Sequence, residues 1–163
     1  MLKFQESIDL NRFSLNRFSQ TMAKIAFYEK PGCLNNGKQK SLLQAAGHEV
    51  LAYNLLTEPW TIDRLRPFFR ALPVADWFNR TAVRVRSGEI VPESFDAETA
   101  LAVLASDPLL IRRPLMQIGD RYFVGFDLES IEQCASLEPV DFNKTFGETD
   151  RSKIDLETCP NQD

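Results

Sequence analysis

The residues best suited to chemistry stand together at Pro31-Gly32-Cys33. Lys24 to Glu29 is a short apolar run that reads as a buried strand, and Pro31-Gly32 ends it. From Leu34 onward, Leu42, Leu43, Ala45 and Ala46 suit one face of a helix, with Gly47 as its stop. Cys33 therefore falls where a strand turns into a helix. Unpaired amide N–H groups and the helix dipole at that point favour an anion, so a thiol placed there gains thiolate character and nucleophilicity. Lys30 and Lys38 could add positive potential. Position alone suits a small buried filler equally well. Three residues on stands Asn36, not a second cysteine, so the Cys-x-x-Cys redox pair is absent. The other thiols, Cys134 and Cys159, could resolve a disulfide only if the fold or a tail brought one of them near. Three cysteines at these spacings suggest neither a secreted disulfide framework nor a zinc site. The single histidine, His48, follows Gly47 and is expected on the surface without a catalytic role.

The elements that must position Cys33 follow from patterning. Val50 to Asn54 is a second strand, broken by Thr57-Glu58-Pro59. Thr61-Ile62-Asp63 opens a helix with Ile62, Leu65, Phe68 and Phe69 three and four apart. Asp96 to Ala105 is a third helix, stopped before Pro108. Leu115 to Ile118 and Tyr122 to Phe126 flank Gly119-Asp120 as a β-hairpin. Asp127 caps a last helix through Ala135. The order β-α-β-α-α-β-β-α is a thioredoxin-like plan of the α/β class: a four-stranded mixed sheet flanked by helices, with a helical insertion after the second strand. That plan puts a cis proline before the third strand, facing the cysteine. Pro114 fits this place, and Arg113 beside it would direct a permanently charged planar donor at the pocket. Arg80, next to Trp77 and Phe78, is a further candidate. Arg84 and Arg86 read as a solvated strand or loop face.

Composition bounds the rest. A chain of 163 residues that is 44% hydrophobic and 26% charged is long enough for one domain with tails. No apolar run approaches the roughly 18 residues that span a bilayer, so no membrane association is expected. The net charge of −4 gives no general attraction to nucleic acid. Residues 138–163 hold seven acids and three bases and so carry all of it, leaving 16 of each before them. The expected organisation is an extension over 1–22, a folded domain over 23–136 and an acidic, disordered tail over 137–163. The extension contains a tandem duplication, Leu10-Asn11-Arg12-Phe13-Ser14 and Leu15-Asn16-Arg17-Phe18-Ser19. Its charges break any signal-peptide core. Met22, running directly into the first strand, is the expected physiological start.

Taken together, Tyr28-Glu29-Lys30-Pro31-Gly32-Cys33, the Arg80 segment and Ile111-Arg112-Arg113-Pro114 resemble the arsenate reductase (ArsC) and Spx family over about residues 23 to 135. The wording Phe-Tyr-Glu-Lys-Pro-Gly-Cys followed by a pair of asparagines looks most like the nitrogenase-associated branch. The resemblance implies a cytoplasmic protein with Cys33 as nucleophile, Arg80 and Arg113 as oxyanion ligands, and Pro114 and Asn36 as structural neighbours. It implies no bound cofactor or metal, with glutathione or glutaredoxin as external reductant. The family's third arginine falls near the end of the hairpin, where this chain reads Val124-Gly125-Phe126. Its Ser or Thr and Arg after the cysteine are replaced by Asn35-Asn36-Gly37. Each lost charged hydrogen bond removes about 1.5–3 kcal/mol, so two missing ligands weaken arsenate binding by roughly two to four powers of ten. Three functions follow from the resemblance. One is a monothiol redox or accessory protein of nitrogen fixation, whose partner is a nitrogenase component, a molybdenum-handling protein or glutaredoxin. The second is an arsenate reductase. The third is a non-catalytic Spx-like protein-binding module.

Overall fold

The computed structural model describes residues 22–135 and Leu156. The expected extension and acidic tail lie outside the described residues except for Met22 and Leu156.

Strand β1 (Lys24–Glu29) alternates its side chains across the sheet. Ile25 and Phe27 are wholly buried on one face, among Leu42, Leu43, Met116, Ile118, Phe126 and Ile131. Tyr28 packs on the opposite face, against a larger cluster built on Leu55, Trp60, Leu65, Phe68, Leu104 and Leu115. Burying one side chain of Phe27's size contributes about 1.5–3 kcal/mol, so β1 anchors both cores at once.

Helix α1 (Leu34–Ala45) delivers Leu42 and Leu43 to the first cluster. It ends at Gly47, whose φ of +86° is open to glycine at little cost and whose amide donates to the Gln44 carbonyl. Strand β2 (Glu49–Asn54) then runs parallel to β1, and strands β3 (Leu115–Ile118) and β4 (Arg121–Val124) form an antiparallel hairpin. The sheet order is β2-β1-β3-β4, with β1 antiparallel to β3. The expected mixed four-stranded sheet is thus present. Its last strand is shorter than the sequence suggests, because Gly125 (φ +75°) and Phe126 already turn away toward the last helix.

The insertion between β2 and β3 packs over the other sheet face. Helix α2 (Ile62–Phe69) starts where the Thr61 hydroxyl accepts the Arg64 amide at 3.2 Å. A one-turn helix, α3 (Val83–Arg86), was not foreseen. It places Arg84 and Arg86 on a helix rather than on a strand or loop, and Arg84 reaches Glu89 at 2.7 Å and Asp107 at 2.6 Å. Helix α4 (Ala97–Ser106) is capped by Asp96, which accepts the Thr99 amide at 2.9 Å. Helix α5 (Leu128–Ala135) closes the domain against the first cluster through Ile131. Tyr28, Trp60, Phe68 and Tyr122 form an aromatic wall with centroid distances of 4.9–6.1 Å.

His48 departs from expectation. It is buried rather than on the surface, and its Nδ1 accepts the Ala23 amide at 3.2 Å. The reason is positional: Gly47 turns the chain directly into β2, which carries the ring under the start of β1.

Candidate functional site

The turn after β1 is set by Gly32, at φ +81°, and by the Cys33 amide donating to the Lys30 carbonyl at 3.2 Å. Cys33 is the N-cap of α1 in extended conformation, and its carbonyl accepts the Gly37 amide at 3.1 Å. The side chain makes no capping bond, so the sulfur is not spent on the helix end. No acidic residue occupies the first turn of α1 to cancel the positive end of its dipole.

The third strand runs antiparallel beside β1. Tyr28 pairs with Leu115, so Pro114 falls beside the end of β1, where the chain turns into Cys33. The Arg113–Pro114 peptide is cis, as the sequence plan expects. The Pro114 carbonyl accepts the Gly125 amide at 2.9 Å, which ties this bend to the end of the hairpin.

Arg113 is only 9% exposed, and burial lowers its pKa from the ordinary value. Among the described residues its Nη1 has no hydrogen-bond partner. A desolvated guanidinium with an unpartnered donor is energetically costly. Asn36 is buried too. Its Nδ2 donates to Gln39 Oε1 at 2.8 Å, while Oδ1 has no partner among the described residues.

Arg80 is placed differently. The segment before it pairs with the approach to Pro114: Phe78 bridges Ile111, and the Arg112 amide donates to the Trp77 carbonyl at 2.8 Å. Its guanidinium, however, is half exposed, held by Glu93 at 2.7 Å and the Ala75 carbonyl at 3.2 Å. Arg113 is therefore buried beside the cis bond, whereas Arg80 is engaged at the surface. Lys38 is exposed.

Three features were missed in the sequence. Arg112 lies over Gly125, so closely that a Cβ there would meet its Nε and Nη2 at 3.0 Å. This puts a guanidinium beside the hairpin end, which carries no arginine of its own. Gln39 Nε2 donates to the carbonyl of Leu156, far along the chain. Cys33 itself is disulfide-bonded and only 7% exposed, a pairing that the sequence leaves conditional on the fold or a tail bringing another cysteine near. Periodicity signals none of these; each is a contact between residues distant in sequence. No cluster of metal-ligating side chains occurs among the described residues.

A cysteine at a helix start, beside a cis proline that leads an inner strand of a β2-β1-β3-β4 sheet, defines a thioredoxin-like domain of the ArsC type. The ArsC family model matches residues 28–134, and the chain belongs to that family. An uncharacterized 15.7 kDa protein in the draG 3′ region of Rhodospirillum rubrum is 45% identical over 141 residues, covering 86% of this chain and 91% of that protein. Among solved structures, an ArsC family related protein from Bacteroides fragilis superposes with a TM-score of 0.61 at 25% identity, over 68% of this chain and 97% of that one. Arsenate reductase from Vibrio cholerae shares the fold, with a TM-score of 0.58 at 17% identity over 72% and 99% of the two chains.

Proposed function

We propose that this ArsC-family protein is a thiol-dependent redox or accessory protein of nitrogen fixation in the cytoplasm, with Cys33 as its nucleophile. One observation carries the reading: Cys33 stands at the start of α1 with no acidic residue in its first turn, and the cis Arg113–Pro114 bond leads into β3, whose Leu115 pairs with Tyr28 of β1. The helix end favours the thiolate. Arg113 holds an anionic group of the substrate, and glutathione or glutaredoxin returns the sulfur to the thiol. The link to nitrogen fixation is supported by the wording around Cys33 and by the relative in the draG 3′ region. A nitrogenase component or a molybdenum-handling protein is the partner this reading favours. No direct nucleic-acid or membrane role is proposed.

The test is alkylation of the reduced protein by iodoacetamide, read peptide by peptide. Cys33 should react at neutral pH faster than a cysteine in a short unstructured peptide, and Arg113→Met should slow it. Equal rates for Cys33 and the peptide overturn the assignment. Recovery of partners from nitrogen-fixing cells with wild type and Cys33→Ser then separates a redox role from simple docking.

Arsenate reduction is a second reading, favoured by the position of Arg112 over Gly125. There it would supply the guanidinium that the hairpin lacks. A coupled assay with arsenate, glutathione and glutaredoxin decides it. With Arg80 engaged by Glu93, little turnover is expected.

A further inference from the structure

We propose that a second copy of this chain docks along the outer edge of β2, joining two sheets into one across a two-fold axis at Ala52. The inference goes beyond the thiol reading and does not depend on it. Strand β2 is an outer strand of the sheet, and its register with β1 runs from Lys24 opposite Glu49 to Glu29 opposite Asn54 without a bulge. The hydrogen bonds at its two ends fix which residues face outward. The Glu49 amide donates to the Ala23 carbonyl at 3.0 Å, and the Leu55 amide donates to the Glu29 carbonyl at 2.8 Å. Along a strand, alternate residues bond toward the same neighbour, so the odd-numbered residues of β2 serve β1. The amides and carbonyls of Val50 and Ala52, and the amide of Asn54, therefore point off the sheet. The Asn54 carbonyl is engaged within its own turn by the Thr57 and Glu58 amides.

Folds blunt an exposed edge with short strands, charges, prolines or bulges. The opposite edge, β4, is four residues long and opens on Arg121. Strand β2 has six residues and carries no charge or proline from Val50 to Asn54. Its one acid, Glu49, lies 3.5 Å from Lys24 of the same chain. Leu51 and Tyr53 are 39% and 40% exposed, and they share the face on which Tyr53 stacks against Tyr28 at 5.2 Å.

A second copy is the occupant because this edge is complementary to itself. In an antiparallel pairing centred on Ala52, that residue exchanges both hydrogen bonds with its counterpart. Each Asn54 amide meets the Val50 carbonyl of the copy. Leu51 lies opposite Tyr53 of the copy, twice, at the non-hydrogen-bonded positions where side chains come closest. Glu49 falls opposite Leu55, so no like charges face each other. Moving the axis to Leu51 would set the Glu49 carboxylate against Tyr53, so the side-chain pattern selects one register. The contact is isologous and closes at two copies.

The experiment is sedimentation velocity of the full-length chain over a range of concentrations, with reductant present so that intermolecular disulfides contribute nothing. Wild type should move from one chain toward two as concentration rises. Ala52→Pro removes an amide that bonds nothing within the chain, at an edge position that tolerates proline. Leu51→Lys places a charge on the exposed face. Each should weaken association about 10-fold or more while melting as dilute wild type does. Hydrogen exchange of wild type supplies a reading that needs no variant. The Ala52 and Asn54 amides should exchange more slowly as concentration rises, whereas the Leu51 and Tyr53 amides, already bonded to β1, should not change. A wild type that stays a single chain throughout overturns the proposal. So does a dimer that both variants leave intact, or one that forms without slowing exchange at Ala52.

Discussion

Arg113 holds a charge in the interior with an open donor, and that arrangement is costly in the absence of an anion. Replacing an uncompensated buried charge by an apolar side chain of similar length relieves desolvation. Arg113→Met is therefore expected to raise the unfolding free energy by about 1–2 kcal/mol. Sulfate should stabilise wild type in urea melts and leave the variant unchanged. A destabilised variant together with a wild type indifferent to sulfate would show that Arg113 serves packing alone. His48 makes the complementary case. Burial lowers its pKa from the ordinary 6.5, and its Nδ1 must stay unprotonated to accept the Ala23 amide. A basic group depressed in the fold binds fewer protons there than in the unfolded chain, so its stabilisation is full above pH 6.5 and declines as pH falls below it. His48→Gln should flatten the dependence of the melting temperature on pH between about 5 and 7. An unchanged slope would place the acid sensitivity elsewhere.

Elements differ in how far local sequence determines them. Strand β1 and helix α1 were legible because an apolar run, a Pro-Gly stop and a terminal glycine act within a few residues of one another. The hairpin was legible from Gly119-Asp120 between two β-rich runs, and α4 from Asp96 ahead of an Ala- and Leu-rich stretch. The site inherits this legibility, since Cys33 and Pro114 sit at element ends. The one-turn helix α3 was not legible. Its surroundings are fixed by the Phe78–Ile111 bridge and by Arg84 reaching Asp107, contacts that no local pattern encodes. His48 and the engagement of Arg80 by Glu93 were missed for the same reason. Within the insertion, apolar burial should outweigh ion pairing. Leu104 is fully buried in α4, whereas Arg66 joins α2 to Glu98 at 2.6 Å on the surface. Leu104→Ala should cost about 2–5 kcal/mol and Arg66→Ala less than about 1 kcal/mol, as read by denaturant midpoint at constant slope. Comparable losses would mean that the insertion is held by its surface charges.

At the scale of the whole molecule, the disulfide at Cys33 matters beyond the pocket. Either of the other two cysteines, paired with Cys33, closes a loop that includes most of the folded domain. A link of that span restricts the unfolded chain far more than the native one. For loops on the order of 100 residues the stabilisation is about 4 kcal/mol or somewhat more in the chain-entropy account. The fold should also stand without it, because both faces of the sheet are covered by buried clusters that do not need the link. Two results are therefore expected from denaturant unfolding of the full chain. Adding a reductant should lower the unfolding free energy of wild type by about 4 kcal/mol while leaving a cooperative transition. Cys33→Ser should unfold like reduced wild type and ignore the reductant, since it lacks the one sulfur common to either pairing. Coincident curves for wild type with and without reductant would mean that the link contributes nothing to the stability of the fold. In that event the oxidation state of Cys33 would bear on the pocket alone, with no reach into the rest of the domain.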